Sequence, residues 1–161
     1  MSETNPYAPP EASVADVVST VESPPLWNPA AAGGWSLLFT PVFGALVHMK
    51  NWQALGEPAR AENSKKWAIG SVAYIVVMVL LTLVVPDLKA LDGLSRIGGL
   101  ALLIGWYYAS GKSQQGYVLA RFGNTYKRKG WGLPLLCGLA GIAAFMAVMV
   151  VVGIVMAMAQ G

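Results

Sequence analysis

The residue types that most often perform chemistry are scarce and widely separated in this sequence. The chain has one histidine, His48, and one cysteine, Cys137. Neither belongs to a nucleophile–base pair or to a metal-ligand spacing, and the sequence has no glycine-rich phosphate loop. We therefore predict no enzymatic activity, no catalytic or metal-binding residue and no cofactor. His48 is expected to be a capping or interfacial residue, and Cys137 a small buried hydrophobe.

Small residues recur at intervals of four in two apolar segments, a spacing that lets helix backbones approach closely. They are Ala101, Gly105, Ala109 and Ser113 in one segment, and Gly153 and Ala157 in the other. Each set is expected to lie on one helix face. Packing inside the bundle is the simpler explanation, and an interface with a second copy of the chain or with a partner protein is the alternative.

Basic and aromatic residues border the apolar segments. The basic triplet Lys127, Arg128 and Lys129 and the tryptophans Trp67 and Trp131 are predicted to contact lipid head groups. Basic residues mixed with aromatic ones also occur in nucleic-acid-binding proteins. Because apolar segments flank this stretch on both sides, membrane lipids are the expected partner, and we predict no nucleic acid.

The composition indicates what must position these residues. Hydrophobic residues make up 55% of the 161 residues and charged residues only 12%, whereas about 25% is usual in soluble domains. The mean hydropathy is +0.53, and long blocks lack charge altogether. These values exclude a soluble globular enzyme, a secreted disulfide scaffold and a disordered chain, and they indicate a multi-pass membrane protein.

The predicted fold is an all-α membrane protein with a bundle of four transmembrane helices. Residues 1–34 are a disordered, acidic, proline-rich tail, and residues 35–161 form the transmembrane domain. The helices are expected near 32–49, 67–85, 95–112 and 132–158. The first of them is expected to span. Because Pro41 and several glycines interrupt it, three crossing helices plus a re-entrant segment is the alternative.

The two halves of the chain share a weak pattern. Each has an apolar segment, a basic stretch, a tryptophan and a longer apolar segment, with His48 preceding Trp67, and Lys112 preceding Trp131, by the same interval. A tandem repeat of a two-helix hairpin explains this pattern, and chance similarity explains it equally well.

Charge predicts the orientation. The segments 50–66 and 112–130 carry nine of the eleven Lys and Arg residues, and Lys89 and Arg96 are the other two. By the positive-inside rule both segments are loops that face the cytoplasm. If the first helix spans, the tail and the C-terminus lie on the far side, and if it does not, the tail is cytoplasmic.

One group of proteins has similar motifs. The tail motif is Asn5-Pro6-Tyr7-Ala8-Pro9, and it is followed by Phe39-Thr40-Pro41-Val42-Phe43-Gly44-Ala45, His48, Asn51-Trp52 and Leu55-Gly56-Glu57-Pro58. Over residues 1–67 the chain resembles small multi-pass inner-membrane proteins of proteobacteria that have an Asn-Pro-Tyr-x-x-Pro tail. Some of these resemble immunity proteins against toxins delivered by type VI secretion. The resemblance implies no catalytic residues and does not identify a toxin.

Two functions follow as expectations. The first is an immunity protein of the inner membrane that binds and neutralises a membrane-active toxin. The second is an accessory or structural subunit of a membrane complex, including a homo-oligomer. A small channel or transporter is disfavoured because no Asp, Glu, Lys or Arg lies within the four apolar segments.

Overall fold

The protein is built from α-helices. A computed structural model describes residues 22–85 and 89–160. The helices are α1 (Pro29–Ala54), α2 (Pro58–Val84), α3 (Lys89–Trp106), α4 (Lys112–Phe122) and α5 (Gly132–Gln160), and a π-helical turn, Tyr107–Gly111, joins α3 to α4 without a break. The predicted all-α bundle is confirmed. The tail motif and most of the predicted tail lie outside the described residues.

Helix α1 is folded back on itself at Thr40. This residue has φ 72° and ψ 165°, a backbone conformation that β-branched residues rarely adopt. Pro41 follows it, disfavours helical geometry at the preceding residue and has no N–H group to donate. Helix α1 therefore consists of two helical arms, residues 29–39 and 41–54, that meet at a sharp break.

The two ends of α1 lie together. The imidazole Nε2 of His48 is 3.2 Å from the carbonyl oxygen of Pro29, and the Asn51 side chain hydrogen-bonds to both backbone groups of Trp27. The first arm is about 16 Å long, roughly half of the ~30 Å hydrocarbon core of a bilayer. The expectation that this segment spans is wrong, and the re-entrant alternative describes the structure.

Length and composition mark three helices as able to cross a membrane, namely α1, α2 and the stretch Gly132–Met158 of α5. Because α1 returns, α2 and α5 remain as the helices that length and composition suit to crossing. Helix α3 runs antiparallel beside α2, since Gly98 approaches Tyr74 and Gly105 approaches Trp67. The protein is a membrane-embedded bundle of α2, α3 and α5 with α1 inserted from one end.

Several helices are longer than predicted, because the polar residues that flank the apolar segments are also helical. The segment 50–66 is the end of α1, a three-residue turn and the start of α2, and in 112–130 only residues 123–130 lie outside α4. Gly56 and Gly123 have positive φ, at 73° and 62°, which suits glycine where a helix ends. The basic segments are thus mainly helical extensions beyond the apolar helices.

The predicted tail also ends earlier than residue 34. The side-chain oxygen of Asn28 accepts hydrogen bonds from the backbone N–H groups of Ala30 and Ala31, at 3.0 and 3.4 Å. This N-cap starts α1 at Pro29, a proline that suits the first helical position because it lacks the N–H.

The two halves of the chain are not structurally equivalent, so the tandem repeat is not observed. In the first half the apolar segment returns at the break between Thr40 and Pro41. In the second half the corresponding segment continues from Lys89 to Phe122 as unbroken helix.

Three small clusters of buried apolar side chains hold the fold together. One packs Ala32 against Phe43 and Val47 between the two arms of α1. A second joins α1, α2 and α3 through Ala45, Ala68 and Trp106. The third consists of Leu26, Val118 and Tyr126 and lies where the basic segments meet.

Candidate functional site

Asn51 joins the base of the re-entrant α1 to the extended residues that precede it. Its Oδ1 accepts a hydrogen bond from the Trp27 N–H at 3.0 Å, and its Nδ2 donates to the Trp27 carbonyl at 2.8 Å. The same Nδ2 donates to Oε1 of Gln114 on α4 at 3.1 Å. Since Asn51 and Gln114 are fully buried, these bonds fix where α1 returns.

Gln114 and His48 complete this polar cluster. Gln114 Nε2 donates to the backbone carbonyl of His48 at 2.9 Å. His48 is fully buried, its ring lies 5.3 Å from that of Trp106, and only a protonated Nε2 can bond to the Pro29 carbonyl. His48 therefore links the two arms of α1 from a fully buried position, whereas the sequence predicted a capping or interfacial residue.

Tyr117 is the centre of a second group of contacts, next to the polar cluster of Asn51, Gln114 and His48. Its hydroxyl donates to the Glu57 carboxylate at 2.8 Å and accepts from Arg121 at 2.6 Å. Its ring packs edge-on to Trp52 at 5.1 Å, and the Arg60 guanidinium lies 4.7 Å from the Tyr117 ring and 4.9 Å from the Trp52 ring. Cation–π contacts of this kind hold α4 against the turn between α1 and α2.

The segment before α1 pairs with the basic triplet. The Leu26 N–H donates to the Lys127 carbonyl at 3.0 Å, and the Lys129 N–H donates back to the Leu26 carbonyl at 2.8 Å. The Trp27 indole donates to the Gly130 carbonyl at 2.9 Å. Residues 22–28 consequently lie at the same end of the bundle as the basic segments.

The predicted head-group residues lie at this end in two different settings. Lys127 and Arg128 are exposed, Lys129 is half-buried, and its ammonium lies 4.3 Å from the Trp27 ring. Trp67 and Trp131 are half-buried, because Trp67 packs near Gly105 and Trp131 packs against the aromatic side chains of α1.

Tyr126 shows how closely this end of the bundle is packed. Only 8% of its surface is exposed. Burial raises the pKa of its hydroxyl above the ordinary 10.0, and the charge and hydrogen bond of Arg128 act in the opposite direction.

The predicted small-residue face of the third segment does not form a packed interface inside the bundle. Ala101, Ala109 and Ser113 are exposed, and Gly105 is half-buried beside Trp67. Their spacing by four continues across the π-helical turn, but the face on which they lie is not the face that packs inside the bundle. In α5, Gly153 and Ala157 are also exposed.

The face that does pack was missed by the sequence interpretation. Trp106, Ser110, Gln114 and Val118 are all at most 2% exposed, and they also recur at intervals of four. The sequence pattern did not identify these residues as a buried face, because an aromatic, a hydroxyl, an amide and an aliphatic side chain together do not form an apolar stripe.

Helix α5 is attached to the rest of the protein mainly through its first turns. Leu135 and Trp131 pack against the aromatic side chains of α1, and Gly138 lies against Phe39. From Gly132 to Met158 no side chain is buried. Cys137, which the sequence suggested is buried, is exposed.

An apolar groove separates α5 from α2. It has a volume of about 680 Å³ and is lined by α1, by Val72, Ile75 and Val76 of α2, and by residues from Leu133 to Phe145 of α5. Trp27 and Lys50 line its end at the base of α1. The groove is therefore apolar along its length and carries its charge at one end.

Comparison of the chain with protein-family models, with curated proteins and with solved structures finds no match. Within residues 22–85 and 89–160, no three His, Cys, Asp or Glu side chains are grouped so that they could hold a metal ion.

Proposed function

We propose that the protein is a non-enzymatic binding protein of the bacterial inner membrane. Its specific role in this proposal is immunity, in which it neutralises a membrane-active toxin delivered by type VI secretion. The toxin's membrane segment packs along the half of α5 farthest from the basic segments, residues 146–158, and is thereby kept from assembling in the bilayer.

The observation that carries this proposal is the exposure of that half of α5. Met146 is 57% exposed and Met158 is 78% exposed, and no side chain between them is buried. Methionine side chains are flexible and adapt to irregular partners. A helix of this length held only near its start presents a large surface to other helices in the bilayer.

The small residues of α5 also favour binding of a partner helix at this surface. Gly153 and Ala157 are exposed and lie one turn apart, so a partner helix can approach the backbone closely there. An added Cβ on Gly153 meets nothing within 4 Å.

Orientation follows from the positive charges. The basic segments, residues 22–28 and both ends of α1 lie at one end of the bundle. Under the positive-inside rule this end faces the cytoplasm. In this proposal α3, which returns antiparallel beside α2, also crosses. With crossings by α2, α3 and α5, the C-terminal end of α5 is periplasmic, where an incoming toxin first meets the membrane.

The decisive experiment is survival of a deletion strain on a crowded surface beside wild-type siblings with active secretion. We expect contact-dependent killing that the intact gene rescues. Gly153→Phe should fail to rescue because it obstructs the proposed surface of α5. Gly70→Phe is the matched control, since Gly70 is exposed on α2 and an added Cβ there also meets nothing within 4 Å.

Normal survival of the deletion strain would contradict the immunity proposal. Recovery of the intact protein in a stable complex from native membranes would then support the accessory-subunit function, with the same α5 surface as its interface. Rescue by Gly153→Phe at normal protein levels would show that protection does not use this surface.

A further inference from the structure

The groove between α1, α2 and α5 has the length of one membrane leaflet. From Leu133 to Phe145 its α5 wall is about 18 Å long, and one leaflet contributes about 15 Å to the hydrocarbon core. The tip of α1, at Phe39 and Thr40, also lines the groove. The groove therefore extends from the membrane surface at the base of α1 to the middle of the bilayer.

Positive charge gathers at the surface end of the groove. Lys50 and Trp27 line this end, and the Lys129 ammonium lies 4.3 Å from the Trp27 ring. Neither lysine forms a salt bridge with any acidic side chain in the part of the chain that the structure describes. Two unneutralised ammonium groups at head-group level favour an anionic group there.

The volume and the lining of the groove suit a hydrocarbon chain. The groove has a volume of about 680 Å³, which is in the range of ~300–1,000 Å³ usual for small-molecule sites. Its walls are apolar side chains of α1, α2 and α5. A thin, flexible acyl chain fits this space, and the two lysines at its surface end favour a lipid with an anionic head group.

We propose that this groove binds an anionic phospholipid, with an acyl chain between α2 and α5 and the phosphate held by Lys50 and Lys129 beside Trp27. The site is separate from the far half of α5, so the lipid proposal does not depend on the immunity proposal. The bound chain would occupy the space between α2 and α5 in the leaflet that contains α1.

The first experiment compares two lipids on the delipidated full-length protein by native mass spectrometry. Phosphatidylglycerol and phosphatidylcholine with identical acyl chains are titrated separately and in competition. We expect retention of one phosphatidylglycerol with a preference of about tenfold to thirtyfold, since each lysine near an anionic group contributes roughly a factor of five. Equal retention of the two lipids would overturn the proposed role of the lysines.

Charge variants test the surface end of the groove. Lys50→Gln combined with Lys129→Gln should reduce the preference for phosphatidylglycerol to about threefold or less. Lys65→Gln combined with Lys66→Gln is the matched control, because both are exposed basic residues of α2 that do not line the groove, and the preference should persist. The reverse pattern would contradict the assignment of the phosphate site.

A filling variant tests the apolar part. Gly141 lines the groove and an added Cβ meets nothing within 4 Å, so Gly141→Phe should lower retention of both lipids at least tenfold. Gly153→Phe, on the same helix but outside the groove, should leave retention unchanged. Unchanged retention in Gly141→Phe, or a change in that variant from dimer to monomer, would overturn the lipid site and, in the second case, identify a second copy as the occupant.

Circular dichroism and thermal unfolding check that each variant remains folded. If Gly141→Phe fails this check, the competition between lipids on the unaltered protein and the two lysine pairs still decide the proposal.

Discussion

Replacing Asn51 by alanine should destabilise the protein more than any other single polar substitution at the base of α1. The change removes three hydrogen bonds, two to Trp27 and one to Gln114. Each contributes about 1 kcal/mol net, and the partner groups left without a bond in a buried site add further cost. We therefore expect Asn51→Ala to lower the free energy of unfolding by about 3–5 kcal/mol.

The assay is reversible unfolding in mixed detergent micelles, followed by tryptophan fluorescence and far-ultraviolet circular dichroism. Asn63→Ala is the matched control, because Asn63 is an exposed residue of α2 and its loss should change the free energy by less than about 0.5 kcal/mol. If Asn51→Ala destabilised the protein no more than Asn63→Ala does, the hydrogen bonds of Asn51 would not hold α1 in its re-entrant position.

Two further predictions concern the same helix, and a third concerns the topology. Gly44→Ala should destabilise the protein by at least ~2 kcal/mol in the unfolding assay, because the added Cβ collides with two buried side chains, whereas Gly34→Ala, which meets nothing within 4 Å, should not destabilise it. Thr40→Gly should raise the free energy of unfolding by about 1 kcal/mol, because glycine adopts positive φ without strain. The greater entropy of the unfolded chain with glycine offsets part of this gain. A loss of stability would show that Thr40 is not strained. For the topology, the protein with Cys137 replaced by serine is placed in right-side-out vesicles and treated with an impermeant maleimide. Ser23→Cys should resist the reagent and Ala157→Cys should react. The reverse result would show that the proposed topology is inverted.

The crossing helices were predictable because their signal is local. The uncharged run at 67–85 became the apolar part of α2, and the predicted helix 132–158 matches α5 almost to the residue. A helix needs about 20 consecutive apolar residues to cross the hydrocarbon core, so a long uncharged run identifies a crossing helix. The helices extend beyond these runs only where polar side chains continue as helix outside the apolar layer.

The return of α1 could be predicted only as an alternative. Proline after Thr40 indicates a break in the helix, but many crossing helices tolerate a proline. Long-range contacts hold α1 in the returning form, among them the hydrogen bond between Asn51 and Gln114, which are 63 positions apart in the chain. Contacts at such separations leave no local periodicity that a sequence pattern can report.

The packed face of the third segment was mislocated because two sets of residues recur at intervals of four along it. One set is Ala101, Gly105, Ala109 and Ser113, and the other is Trp106, Ser110, Gln114 and Val118. Corresponding members such as Gly105 and Trp106 differ by one position, which is about 100° around a regular helix. Small size pointed to the first set, whereas the buried set contains Gln114, whose hydrogen-bond partners on α1 are distant in the sequence.

The break at Thr40 and Pro41 explains both proposed surfaces. Because α1 turns back there, it occupies only the leaflet next to the basic segments and lies between α2 and α5 in that leaflet. Beside it remains the apolar groove that we propose for an acyl chain. In the other leaflet α1 is absent, so residues 146–158 of α5 have no buried side chain. If α1 crossed the membrane instead, it would continue along α5 and cover that surface. Lipid binding in one leaflet and partner binding in the other are thus separate consequences of one backbone feature, and a variant that straightened α1 should impair both.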